Sequence, residues 1–410
     1  MLLTKMLDRL VRSGSLTLID ANDRRHRFGD GTPPRVTIRL HDRRLHTKIP
    51  LNPSLAAGEA FMDGTLTIEE GTLRDFIDIA TRGFNSIYEA PMHRVGRMLG
   101  FGVRLIQQYN PVSRSRQNVA HHYDLSGALY DLFLDRDRQY SCAYFAKPDD
   151  SLETAQLNKK VHIAAKLLLD RPNLKVLDIG CGWGGMALYL AKAASADVTG
   201  ITLSTEQAKL AESRVAAAGL ASSVRFKLQD YRLEQEQYDR IVSVGMFEHV
   251  GLPQFGTFFR KMRELLKPDG VALLHAIGRM DGPGITDPWI RKYIFPGGYV
   301  PALSEVLPVI ERTGLWVTDV EVLRLHYAET LKNWYKNFMA HRAEAARIYD
   351  ERFCRMWEFY LTGCEMAFRN MSQMVFQIQI ARDQGAVPLT RDYIMEWERA
   401  QLAKFGAAAE

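Results

Sequence analysis

Apolar positions along this chain repeat at two spacings, and the change from one to the other divides it. The opening "MLLTKMLDRLVRSG" sets Leu2, Leu3, Met6, Leu7, Leu10 and Val11 on one helical face with Lys5, Arg9 and Arg12 opposite, and Gly14 closes it. This spacing predicts a short basic amphipathic helix, expected to dock on its own domain rather than lie on a membrane, though the pattern is shared by both. "SLTLID" and "RVTIRL" alternate as strands do around the turn-rich "FGDGTPP", and "LNPSLAAGEAFMDGTLTIEEGTLRDFIDIA" supplies helical segments around a short strand. Residues 1–85 read as a small α+β domain. Residues 86–115, ending in the Ser/Arg-rich "NPVSRSRQN", read as a connector.

From about residue 155, helical segments alternate with apolar strands: "LKVLDIG", "DVTGITL", "SVRFKLQD", "YDRIVSVG" and "GVALLHAIG". That succession predicts an α/β fold, a doubly wound sheet with helices on both faces, within a domain spanning 116–410. An insertion is expected at about 278–330, where "MDGPGITDPWIRKYIFPGGYVPALSEV" breaks the rhythm with Gly, Pro and aromatic residues. A long C-terminal helix is expected over Leu331–Arg382. In it Phe353, Trp357, Tyr360, Leu361, Cys364, Phe368, Met371 and Val375 form a stripe that periodicity assigns to core, with an apolar substrate wall as the lesser reading.

Composition adds little to this picture. At 410 residues with 46% hydrophobic and 25% charged residues, the chain is an ordinary globular one with room for two or three cores. It offers neither a spanning apolar run nor a signal-type h-region, so a cytoplasmic location is expected. The four cysteines, Cys142, Cys181, Cys354 and Cys364, lack the spacing of a zinc site or disulfide framework, and no metal is expected. The net charge of +5 is unevenly placed, with Arg24, Arg25, Arg27, Arg35, Arg39, Arg43, Arg44 and Lys48 crowding the N-terminal part. Such a run suits an acidic surface, although a solvated face explains it as well.

Chemistry concentrates around "VLDIGCGWGG". It follows a predicted strand and precedes a helix, and Gly180, Gly182 and Gly184 let the backbone turn sharply and approach a ligand at the carboxyl end of the first strand. The acid inside the motif, Asp178, departs from the dinucleotide pattern. The loop resembles the first motif of S-adenosylmethionine-dependent methyltransferases. Together with "VAHHYDLSGALYDLFLD", "YSCAYF", "TLSTEQ", "FEHVG", "LLHAIG" and "HYAETL" it resembles the bacterial cyclopropane-fatty-acyl-phospholipid synthases and, less closely, their mycolic-acid relatives, over about residues 115–385.

The resemblance implies a class I methyltransferase (Rossmann-like) domain with helical lipid-binding additions. It implies S-adenosylmethionine held by Tyr140, Ser141, Asp178, Gly180, Gly182, Thr202, Leu203, Gln207, Asp230 and Tyr231, with Asp178 toward the cofactor's ammonium. No acid stands at the end of the second strand, where many methyltransferases hold the ribose. The resemblance further implies a bound bicarbonate as the base, held by Cys142, Glu248, His275, the main chain of Ile277, and Tyr327. Tyr123, Tyr144, Phe145, Tyr293, Phe295 and Tyr327 are candidates for stabilising a carbocation through their ring faces, each equally explained by packing.

Read from the residues alone, Cys142 is a buried inert thiol or a nucleophile, His275 a core histidine, and the Glu248–His249 pair a metal half-site without a second half. The expected activity is transfer of a methylene group to the cis double bond of an unsaturated phospholipid acyl chain, by an enzyme peripheral on the inner membrane face. The resemblance implies a homodimer, and no nucleic-acid partner is expected. The alternatives are the same fold giving methyl-branched, methylene or hydroxy chains, an N- or O-methyltransferase of a small molecule, and a non-catalytic lipid-binding protein.

Overall fold

The structure is a computed structural model and describes residues 2–84 and 127–407. The expected connector and Tyr123 lie outside the described residues. Two compact units emerge. The first contains the N-terminal residues together with Ile285–Pro296 and Ala328–Gln373.

In the first unit, strands β1 (Ser15–Ile19), β2 (Arg25–Gly29), β3 (Arg35–Leu40) and β4 (Leu66–Glu70) form a sheet in the order β2-β1-β3-β4. Strand alternation sends Leu16, Leu18, Val36, Ile38 and Leu40 to one face, where they are buried with Leu3, Leu7 and Leu10 of the helix Leu2–Leu10 and with Val11 just after it. The predicted amphipathic helix is therefore docked on its own domain. Burying those four side chains is worth roughly 1.5–3 kcal/mol each, so lifting them out would consume most of the ~5–15 kcal/mol by which domains are stable. Strand β2 was not foreseen, because "RHRFG" is a polar edge strand with no apolar face.

The opposite sheet face is polar. Arg25, Arg27 and Arg35 are exposed there, while Arg39 pairs with Asp23 at 2.5 Å and with Glu69 at 3.6 Å.

Two expectations about the rest of this unit are corrected. Its boundary is not residue 85, because the helix Glu351–Asn370 packs on the helices Pro53–Met62 and Leu73–Arg82. Arg74 grips Glu365 at 2.7 and 3.2 Å, and Asn370 reaches Asp78 at 2.8 Å. Trp289, from the expected insertion, packs tilted against Phe359 with ring centroids 4.8 Å apart and fills the space beside Gly58.

The long C-terminal helix is likewise three helices, His326–Ala340, Arg342–Ile348 and Glu351–Asn370, followed by a strand. The helical stripe holds through Phe368, with Trp357, Tyr360 and Leu361 buried. After Asn370 the sequence alternates as "FQIQIA", a strand period that the helical reading ran past.

The second unit is built on a seven-stranded sheet of β5 (Lys175–Ile179), β6 (Asp197–Thr202), β7 (Val224–Leu228), β8 (Tyr238–Val244), β9 (Leu266–Arg279), β10 (Trp316–Val322) and β11 (Gln373–Ala381). Its order is β10-β11-β9-β8-β5-β6-β7, with β5 to β9 parallel and β10 antiparallel to β11. Strand β10 and the helix Leu303–Arg312 are sheet and layer elements, so the true interruption is shorter than 278–330. Both faces are apolar: Leu177, Ile241 and Leu274 enter one core, while Val176, Val242 and Leu273 enter the other. Among the described residues no helix is long and apolar enough to cross a membrane.

Candidate active site

From β5 the chain runs one way to β6 and β7 and the other way to β8 and β9, so the order reverses between β5 and β8. A parallel sheet opens a crevice at such a point, beyond the carboxyl ends of its strands. A cavity lies there. Its wall includes Tyr140, Ser141, Asp178, Gly180, Gly182, Thr202, Leu203, Gln207, Asp230 and Tyr231, every residue expected to surround the cofactor.

The glycine loop shapes the floor. Gly180 has φ +82°, and a Cβ there would stand 2.7 Å from the Met246 side chain, so only glycine fits. Gly182 has φ +53° with nothing within 4 Å of a Cβ position, leaving its backbone open to a ligand. Asp178 is buried, its Oδ2 has no hydrogen-bond partner, and burial pushes its carboxyl up to about 7, with Lys159 pulling the other way. A buried carboxylate oxygen on a cavity wall calls for a cationic ligand group. At the end of β6, Ser204 caps the helix Thr205–Ala217 through Gln207 N–H, and Thr202 Oγ1 donates to Gln207 Oε1 at 2.9 Å.

One wall is the segment after Asp137, held by the helix Leu152–Lys166. Gln156, Lys159 and Lys160 lie on one helical face. Gln156 Nε2 donates to the carbonyls of Gln139 and Ser141 at 3.1 and 3.0 Å, and Lys160 pairs with Asp137 at 2.5 Å. Further along, Tyr144 is stacked between His162 at 4.3 Å and His326 at 4.8 Å.

A second polar group sits beside this cavity. The 3-10 turn Phe247–His249 turns its two polar side chains to different places: His249 lines the cavity, while Glu248 Oε1 accepts the Ile277 N–H at 2.6 Å. Glu248 Oε2 has no partner, and burial raises the carboxyl to about 7. His275 stands two residues before Ile277 on β9, and burial holds it neutral. Gln377 Nε2 donates to its Nδ1 at 3.1 Å, which leaves the ring proton on the unpartnered Nε2. Cys142 is buried and its thiol donates to the Ala143 carbonyl at 3.3 Å. Tyr327 is buried beside His326, whose Nδ1 accepts the Phe145 N–H at 3.0 Å, so the Cys142 segment and Tyr327 are fastened together.

Of the other aromatic candidates, Tyr144 and Phe145 lie against His326 and do not line the cavity. Tyr293 and Phe295 belong to the first unit, where Tyr293 donates to Glu59 at 2.8 Å and Phe295 packs edge-on to Tyr360. The sequence reading missed several cavity residues, among them Gln139, Trp183, Gln229 and Met246. Trp183 lies inside the glycine motif, and that position was the available signal. His249 lines the cavity too, and among the described residues no group of three or more His, Cys, Asp or Glu side chains is placed to hold a metal ion. Burial lowers the pKa of His249 to about 4.

The family described as mycolic acid cyclopropane synthetase matches residues 111–378, and a domain of unknown function matches residues 3–91. The chain is 39% identical over 355 residues to a cyclopropane-fatty-acyl-phospholipid synthase of Escherichia coli strain K12, covering 86% of this chain and 89% of that one. It is 36% identical over 394 residues to a probable fatty acid methyltransferase of Pseudomonas putida, covering 92% and 95%. Among solved structures, mycolic acid cyclopropane synthase CmaA1 complexed with SAH and CTAB superposes with a TM-score of 0.63 at 35% identity, covering 67% of this chain and 99% of that one. The switch-point cavity and the strand order thus sit in a class I methyltransferase fold, and the chain belongs to the cyclopropane synthetase family of S-adenosylmethionine-dependent enzymes.

Proposed function

We propose that this enzyme adds a methylene group from S-adenosylmethionine to the cis double bond of an unsaturated phospholipid acyl chain, with bound bicarbonate as the base. The observation that carries this reading is a pair of buried, unpartnered polar atoms, Glu248 Oε2 and His275 Nε2, on a wall next to the donor-type cavity.

S-adenosylmethionine, when bound, supplies an electrophilic methyl on a sulfonium. In this reading Asp178 holds the donor's ammonium and the glycine loop lets the backbone close on it. An alkene is a weak nucleophile, so the chain's main contribution is to hold donor and double bond in line. Methyl addition leaves a carbocation on the acyl chain, and ring closure requires loss of one proton from the new methyl.

The second polar group fits an anion. Neutral His275 presents Nε2–H, and Glu248, with its carboxyl raised to about 7, retains a proton on Oε2 over much of the neutral range while Oε1 stays on the Ile277 N–H. Two buried donors suit bicarbonate, which when bound would supply the base for that proton. Cys142 and Tyr327 complete the wall as packing and polar contacts rather than as nucleophiles. Water exclusion by the surrounding apolar residues protects the cation from capture. The enzyme acts as a peripheral protein on the inner membrane face and as a homodimer.

The test is incubation with labelled S-adenosylmethionine and vesicles of defined cis-unsaturated phospholipid, with acyl-chain mass analysis and proton NMR. A gain of one CH2 with ring protons supports the proposal. A hydrated or exo-methylene chain means that the same cation is quenched otherwise, and no lipid product overturns the proposal.

A further inference from the structure

Behind the wall of the donor cavity stands a buried cation that the reaction does not require. Lys159 is fully buried on the helix Leu152–Lys166, and its Nζ donates to Ser141 Oγ at 2.8 Å and to Gln139 Oε1 at 2.7 Å. Both partners line the cavity; Lys159 itself does not. We propose that Lys159 is a positioning residue that makes the Ser141 hydroxyl an obligate donor into the cavity, so that the carboxylate of the donor's amino-acid part is bound there. This rests on the reading of the cavity as the S-adenosylmethionine site.

The argument is one of hydrogen-bond accounting. A serine hydroxyl has one proton and two lone pairs. An ammonium on one lone pair excludes the inward orientation of the hydroxyl proton, because the two hydrogens would collide, so the O–H is turned elsewhere. Ser141 is placed for the purpose: a Cβ at Gly245, just past the end of β8, would lie 3.9 Å from the Ser141 Cβ, so the hydroxyl stands over the switch point. Gln139 is consumed in the same network, with Oε1 on Lys159 and Nε2 on Asp137 Oδ2 at 3.1 Å, and Gln156 fixes the Ser141 carbonyl.

Charge points the same way. The groups that act on Lys159 are Asp135, Asp137, Lys160 and Cys142, and Lys159 in turn acts on Asp178 and His275. Asp137 is engaged by Lys160 and by Arg214, so it is not left to neutralise Lys159 alone. The cavity is therefore bipolar, with a carboxylate at Asp178 and an ammonium behind Ser141. A zwitterionic amino-acid group, with its ammonium toward one and its carboxylate toward the other, matches both poles.

The experiment compares two probes by isothermal titration calorimetry. S-adenosylhomocysteine carries the amino-acid carboxylate, and 5′-methylthioadenosine lacks it. Lys159→Met should weaken S-adenosylhomocysteine at least tenfold while leaving 5′-methylthioadenosine within about twofold. Ser141→Ala should show the same selectivity, and the double variant should lose no more than the worse single one. Equal loss for both probes, or no loss for either, overturns the proposal. Should Lys159→Met not fold, the Ser141→Ala comparison decides by itself, since an unselective effect there refutes the proposal. A parent enzyme that binds neither probe refutes the reading of the cavity and the inference with it.

Discussion

Replacing Glu248 by glutamine keeps the side chain's shape and its acceptor for the Ile277 N–H, and removes only its ability to ionise. The carboxyl is fully buried and raised from 4.5 to about 7 by burial. At about 1.36 kcal/mol per pH unit, its charged form is disfavoured by about 3 kcal/mol in the folded enzyme. The sign follows from proton counting. The folded state keeps the proton up to about pH 7 while the unfolded chain releases it near 4.5. Stability contributed by this group is therefore full below 4.5, falls as pH rises through that window, and is flat above it.

Glutamine does not titrate, so Glu248→Gln should gain about 3 kcal/mol relative to the parent between pH 4.5 and pH 7.5. For a unit of this size that is roughly 6–12 °C in relative melting temperature. Circular dichroism melts of both proteins across that range read it directly. The same variant keeps a donor for the anion but cannot relay the proton that the bicarbonate takes up, and should lose about 10²–10⁴ in turnover, with S-adenosylhomocysteine affinity within a few-fold, because Glu248 is not on the cavity wall. Melting curves that stay parallel with pH, or unchanged turnover, would refute the reasoning.

Gly180→Ala should lower S-adenosylhomocysteine affinity more than tenfold, because φ +82° and the Met246 side chain 2.7 Å from the new Cβ force the loop to move; calorimetry checks it. Cys142→Ser should retain measurable turnover in the labelled-donor assay, because the thiol donates to the Ala143 carbonyl and the proposed reaction asks no covalent step of it; complete loss would favour covalent thiol chemistry. Reversing Arg25, Arg27 and Arg35 to glutamate should reduce turnover on anionic vesicles and flatten its salt dependence; equal rates for parent and variant on those vesicles would exclude this sheet face as the lipid contact.

The strands β5 to β9 and the glycine loop were legible because each is a local signal, and the other residues that line the cavity were reached through the resemblance of short motifs to a known family. Apolar runs, a glycine spacing and short ordered motifs survive in one dimension, and a parallel sheet with one switch point has few ways to arrange them. The edge strands were less legible. β2 carries no apolar face, β10 was swallowed by the Gly/Pro-rich interruption, and β11 follows a helix whose stripe ran into it without a Gly or Pro to mark the break.

The sequence by itself determined the amphipathic helix, the alternating strands and the glycine loop at the end of β5, since these follow from side-chain period and backbone freedom, while the other residues expected on the cavity wall came from the resemblance to a known family. Only the tertiary structure decided that the helix Leu2–Leu10 buries its apolar face in its own domain, that residues 328–373 join that domain, and that Lys159 stands behind Ser141. Those outcomes depend on which surfaces meet and which polar atoms are left to be satisfied once water is excluded, and contacts between residues distant in the chain leave no periodic trace along it.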